Sequence, residues 1–239
     1  MSAEGQIILQ HLHAVTAERH VRAADPALAA RVLAIKHFQH ARFERSYADL
    51  LAQPAFARAV RFFLDELYGP GDFTARDVQF ARVVPALIRL FPQEIVGTVV
   101  ALTELHALSE VLDTAMARIL VAPTLSPAVY GETWRALGRA LERERQIALM
   151  LAVGTDLDRY TGRAVLRHSL RLMRGPARAA GLGALQRFLE SGFDTFRDMR
   201  GADLFLQTVA QRERERAAHL FATDLPVGPR SIPALGQVP

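Results

Sequence analysis

The sequence predicts an all-α protein, a single-domain bundle of about eight to nine helices over residues 1–224 with a disordered C-terminal tail at 225–239. Three observations predict it. Apolar residues recur at three- to four-residue spacing along nearly the whole chain, and strict alternation is scarce. Hydrophobic residues make up 50% of the 239, enough to bury a core without covalent staples. Prolines and glycines fall mainly where the periodic stretches end.

Taken in order, residues 6–23 read as a first, weaker helix. Asp25 and Pro26 open a second, expected to run to residue 52. Pro54 starts a third, with Phe56, Val60, Phe63 and Leu67 on one stripe, and Gly69-Pro70-Gly71 ends it. Asp72 or Thr74 can cap a fourth, whose stripe is Asp77, Phe80, Val84, Leu87 and Phe91. Pro85 lies inside it and predicts a kink or a break. The most apolar helix is expected over residues 93–121, followed by a loop at 123–127. A sixth helix carries Tyr130, Trp134, Leu137 and Leu141 and continues to residue 153, with a break at 154–162. A seventh spans 163–173 until Gly175-Pro176 interrupts it. The small residues of 179–185 allow close helix approach, and a helix with Phe188, Phe193 and Phe196 follows. The last helix covers 202–223, and the tail beyond it holds four prolines and two glycines.

Composition narrows the function classes. There is no cysteine, which removes thiol catalysis, thiolate metal sites and disulfides. The first residues lack a basic segment followed by an apolar run, and charges interrupt the apolar stretches before about 18 residues, so no secretion signal or membrane span is expected. The default location is the cytoplasm. The net charge is only +4, although the pI is near 10.1. Lys36 is the sole lysine among 29 basic residues, so arginine's high pKa inflates the pI, and nucleic acid is not an expected partner. A bacterial protein with a GC-rich coding bias fits the arginine, alanine and leucine content.

No phosphate loop, dinucleotide fingerprint, zinc-protease or nucleophile-elbow motif is present. Polar residues on apolar helix faces are therefore the candidates, because burying them is unfavourable without partners. In the fifth helix, His106, Ser109, Glu110 and Asp113 lie on or beside the buried face. His106 and Glu110 are four residues apart, within reach of each other. They could hold a metal, orient a basic histidine, or pair with arginines from other helices. In the second helix, His37, His40 and Glu44 share a stripe with Leu33, Tyr47 and Leu51. His40 and Glu44 could complete a pocket begun by His106, and two histidines could sandwich a haem iron; an ordinary interfacial His–Glu pair is the plainer alternative. The acidic turn Asp65, Glu66, Asp72 and Asp77 could form a cation or amine site at a cavity rim, or simply cap the next helix. Arg163, Arg167, Arg171, Arg174 and Arg178 form a row at helical spacing with no interleaved acid. Such a row suits an anion, or acids such as Glu142 and Glu144 on the preceding helix.

Four stretches stand out together: RFFLDELYGPGDFTARD, ARVVPALIRLFPQEIV, ELHALSEVLD and RLMRGPARAAGLGALQRFLESGFDTF. They resemble an uncharacterised all-helical protein family of GC-rich proteobacteria. The resemblance covers most of the chain to about residue 215, implies the fold class and a bacterial cytoplasmic origin, and implies no catalytic role.

The residues thus point first to a helical binding protein, with an internal polar pocket at His106, Ser109, Glu110, Asp113, His40 and Glu44 and an arginine-rich face. A small molecule or an acidic protein would be the partner. A metal- or haem-dependent helical enzyme or cofactor carrier is the alternative. A helical transcription regulator is a second, and lacks a recognisable helix-turn-helix.

Overall fold

The computed structural model describes residues 2–222 apart from 68, 121–124 and 200, with the side chains of 67, 164 and 165 left aside. The expected tail at 225–239 lies outside the described residues. Every described element is helical, with no strand among the described residues.

The helices are α1 (Ala3–Ala23), α2 (Pro26–Ser46), α3 (Ala48–Leu51), α4 (Pro54–Phe62), α5 (Thr74–Leu90), α6 (Gln93–Ile119), α7 (Pro127–Leu137), α8 (Ala140–Thr161), α9 (Ala164–Leu172), α10 (Arg174–Ala179), α11 (Gly183–Met199) and α12 (Asp203–Ala222). A π-helical segment, Phe63–Leu67, extends α4. The count exceeds the expected eight or nine because two expected helices are each divided and a short additional one, α10, forms beyond the seventh.

The divisions have local causes. The second breaks at Tyr47, a fully buried side chain whose ring lies 4.2 Å from that of Phe43. The sixth ends at Gly138, whose φ of 65° suits glycine and terminates α7. The seventh ends at Leu172, and Pro176 falls in the first turn of α10, where a proline starts a helix.

Two expected breaks are absent. α5 runs through Pro85, which faces solvent, where water can satisfy the freed carbonyl. α8 runs through Gly154, because this glycine serves packing: a Cβ there would stand 2.6 Å from Leu206 Cδ2 of α12.

The caps follow the sequence. Asp25 Oδ1 accepts from the Leu28 amide at 3.0 Å, and Ser126 Oγ from that of Val129 at 3.3 Å. Asp72 accepts from the Thr74 amide at 2.9 Å.

α6 is the axis of the bundle, with α1, α2 and α8 packed along it. Three apolar clusters meet around it. An aromatic one holds Phe43, Phe62, Phe63, Phe196 and Phe205; a second joins α2, α6, α7 and α12; a third joins α1 and α5. By length and mean hydropathy (1.5), α6 could cross a membrane, which corrects the expectation that no stretch would qualify. A central helix needs the same composition, and α6 has neighbours along its length.

Candidate functional site

α6 carries the polar groups that need explaining. Its buried threonines are satisfied locally: Thr103 donates to the Val99 and Val100 carbonyls, and Thr114 to that of Glu110. Its charged groups draw partners from other helices instead.

His106 Nε2 lies 2.8 Å from Oδ2 of Asp77, a buried residue in the first turn of α5. The same oxygen accepts from Arg19 of α1 at 2.7 Å. Arg76 places Nε 3.6 Å from the other oxygen and donates to the Glu66 carbonyl at 3.1 Å. Its guanidinium stands between the rings of Phe73 and Phe188, at 4.2 and 4.5 Å from their centroids.

One turn further along α6, Glu110 meets Lys36 Nζ at 2.6 Å and Arg22 at 2.6 Å. Asp113 accepts from Gln39 at 3.1 Å, and Gln39 also reaches the Tyr130 hydroxyl at 3.4 Å. Ser109 donates to the Leu105 carbonyl and accepts from Gln146 at 2.7 Å. Its hydrogen is therefore committed to its own helix, and nothing activates it as a nucleophile.

The carboxyls respond differently to burial. Burial pushes Asp77 up, but His106, Arg19 and Arg76 outweigh it and hold the group below its ordinary value. Burial likewise opposes ionisation of Glu110, and Lys36 and Arg22 prevail, so its pKa is also lowered. At Asp113 burial wins over Lys36, Arg143 and Gln39, and the pKa is raised.

A raised folded-state pKa means stability falls as pH climbs from the unfolded value of 3.8 through the folded one. Asp113→Asn, which mimics the protonated form, is accordingly expected to melt about 2–4 °C above the wild type at pH 7. The gain should vanish at pH 3. Thermal melts at the two pH values check this, and equal midpoints at pH 7 would contradict it.

Three spaces follow one another along α6. A polar one is lined by Lys36, Gln39, His106, Ser109, Glu110 and Asp113, with Gly69, Phe73 and Gln146. A mixed cleft of about 640 Å³, part of it open to solvent, shares His106 and Ser109 with the first and adds Asp77, Arg76, Glu66 and Thr103. Its other walls are apolar: Leu12, Phe80, Leu102, Leu105, Met150, Leu185 and Phe188. An apolar space of about 780 Å³, counted with its open mouth, shares Leu102, Leu105, Met150 and Phe188 with the cleft. It continues between Phe62, Ile95, Leu157 and Phe196.

The structure thus brings His106, Ser109, Glu110 and Asp113 around shared space. Two expected members are placed elsewhere. Glu44 is exposed, and His40 stands 4.0 Å from Asp65, itself mostly exposed. The face of α2 turned to α6 carries Lys36 and Gln39, and of the stripe expected from the sequence Leu33, His37 and Glu44 point outward while Tyr47 is buried. The two-histidine haem arrangement has no support in these positions. Among the described residues, no group of three or more histidines, aspartates and glutamates is arranged to hold a metal.

The acidic turn divides between roles: Asp72 caps α5, while Glu66 and Asp77 line the cleft. Missed by sequence reasoning were Arg19, Arg22, Arg76, Gln39 and Gln146. One signal pointed to Lys36, the sole lysine in an arginine-rich chain.

Three members of the arginine row pair with acids, the second of its two expected readings, though with other acids than Glu142 and Glu144. Arg163 lies 3.3 Å from Glu94, Arg167 3.8 Å from Asp194 and Arg174 2.6 Å from Glu190. Glu142 and Glu144 pair instead with Arg139 and Arg214. Arg171 and Arg178 are exposed, with no ion pair among the described residues.

No curated protein and no solved structure matches the chain. Residues 18–226 match the family described as a domain of unknown function (DUF8198), and the chain belongs to that family.

Proposed function

We propose that the protein binds a small amphipathic molecule in the cleft along α6, with an uncharged hydrogen-bonding end at His106 and an apolar body against Leu102, Leu105, Met150 and Phe188. Recognition, without covalent chemistry, is its role. The observation that carries this reading is the gradient along one helix. Between Asp113 and Ile95, about 27 Å of axis, the lining changes from charged to apolar, with the Asp77–His106 pair at the junction.

The polar end is uncharged because the charges already present are matched. Asp77 is met by His106, Arg19 and Arg76, and Glu66 by Arg76 at 3.5 Å. A further charge would enter the cleft without a partner, whereas a hydroxyl, carbonyl or amide adds only hydrogen bonds.

Calorimetric titration with primary alcohols from hexanol to dodecanol tests the reading. Affinity should rise about fourfold per methylene, the yield of burying one CH₂ group. The carboxylate of equal length should bind more weakly. His106→Leu leaves Asp77 with both arginines and should lower decanol affinity by about tenfold. Flat titrations across the whole series would sink the reading, and tighter binding of the carboxylates would overturn the assignment of an uncharged end.

A further inference from the structure

A separate cavity lies between α2, α7, α8 and α12. Its lining includes Arg42, Arg143, Arg216, Glu213, Tyr130 and Trp134. Three guanidinium groups and one carboxylate therefore face one partly open space among the described residues. That carboxylate is occupied: Glu213 Oε1 accepts from Arg42 and, at 2.9 Å, from the Tyr47 hydroxyl. Arg143 donates to Gln146 at 3.1 Å and stacks on the Trp134 ring, 4.0 Å from its centroid.

Arg216 differs. It is half-buried, yet no hydrogen bond or ion pair among the described residues receives it. Burial and the neighbouring Arg42 and Arg45 act against its charge, and its pKa is lowered even though Glu213 and Tyr130 favour the charge. Trp134 supplies an independent sign. Its Nε1 is buried and has no hydrogen-bond partner among the described residues. A buried donor without an acceptor is unfavourable, as is a guanidinium beside another guanidinium. One group that accepts hydrogen bonds and carries negative charge would relieve both.

We infer that this cavity is a binding site for a small oxyanion, a carboxylate or a phosphate group, held by Arg216 with Arg42, Arg143 and the Trp134 indole around it. Arginine forks match the geometry of both groups. The cavity adjoins the polar space along α6 through Gln39 and Gln146, which line both, but it shares no lining residue with the cleft proposed for the amphipathic molecule, and the arginine row on α9 and α10 has no part in it.

Trp134 is the only tryptophan in the chain, so its emission reports on this cavity alone. Sodium phosphate and sodium acetate are titrated separately at constant ionic strength against sodium chloride. The expected result is a saturable change in tryptophan emission with one of the two anions, accompanied by a rise in melting temperature, and absent with chloride. The responding anion identifies the ligand group. Arg216→Gln should abolish the change, and Arg174→Gln, which alters an exposed arginine on α10, should leave it intact. Should Arg216→Gln fail to fold, Arg216→Lys, keeping charge but losing the fork, should weaken binding at least tenfold. No saturable response in the wild type, or an equal response in the Arg216 variant, overturns the inference. Decanol should leave the emission unchanged, which keeps this test distinct from that of the cleft.

Discussion

Replacing Glu110 with alanine is expected to lower the unfolding free energy by about 3–5 kcal/mol. Glu110 is 4% exposed, and its two oxygens meet Lys36 and Arg22, both at 2.6 Å. Removing the carboxylate leaves two cations facing each other in a space of low dielectric, and among the described residues Arg22 keeps Thr114 at 3.0 Å. The loss is therefore mainly the burial of unpaired charge. A second substitution separates this from lost packing: Lys36→Met in the Glu110→Ala background should restore part of the stability, because it removes one of the stranded charges. Urea unfolding with an unchanged slope measures both. A loss under about 1 kcal/mol for Glu110→Ala would show that water reaches the pair. The lowered pKa of Glu110 fixes the sign of its acid dependence. The contribution is complete above the unfolded value of 4.5 and disappears as pH falls through the folded one.

Phe63→Ala is expected to be as destabilising, about 3–5 kcal/mol, for a different reason. Phe63 sits at the start of the π-helical segment and is 2% exposed. Its ring lies 5.4 Å from that of Phe205, 6.4 Å from those of Phe43 and Phe62, and 6.5 Å from that of Phe196. It also walls the apolar space beneath Phe188 and Met150. Truncation removes transfer energy and enlarges a void that already exists, so the neighbours have little reason to close it. An apolar guest should enter the enlarged space, as dry engineered cavities admit one. Saturating benzene should raise the melting temperature of the variant more than that of the wild type. An unresponsive variant would show that the aromatic cluster collapses into the gap.

The all-α class was legible because apolar spacing reports periodicity directly, and Asp25 marks a helix start by a local hydrogen bond; the caps at Ser2 and Ser126 were not read, and α1 begins three residues before its expected start. Helix breaks were less legible. Gly138 and Gly154 look alike in sequence, yet one turns the chain through a positive φ and the other admits Leu206. Only the neighbouring helix distinguishes them. The polar face of α6 could be found because His106, Ser109, Glu110 and Asp113 interrupt an otherwise apolar run. Their partners could not. Lys36 and Arg22 lie 74 and 88 positions from Glu110, and nothing local announces that they face inward; only Asp77, 29 positions from His106, was marked, by its place on the apolar stripe of α5. On α2 the choice between two adjacent faces is one of about 100° of rotation, and Leu33 and the histidines marked a face that is mostly outward, while Tyr47 at its end is buried. The side chains of α2 that reach α6, Lys36 and Gln39, are long and polar, a type that ordinarily lies in solvent, so their chemistry alone does not mark them as interior.

The chain's one lysine carries its only side-chain primary amine, and that amine is held against Glu110 with 17% of the side chain exposed. Acylating reagents and lysine-specific proteases therefore find their internal target only when α2 parts from α6. Their rate of reaction at Lys36 is a built-in gauge of how often the bundle opens along its axis.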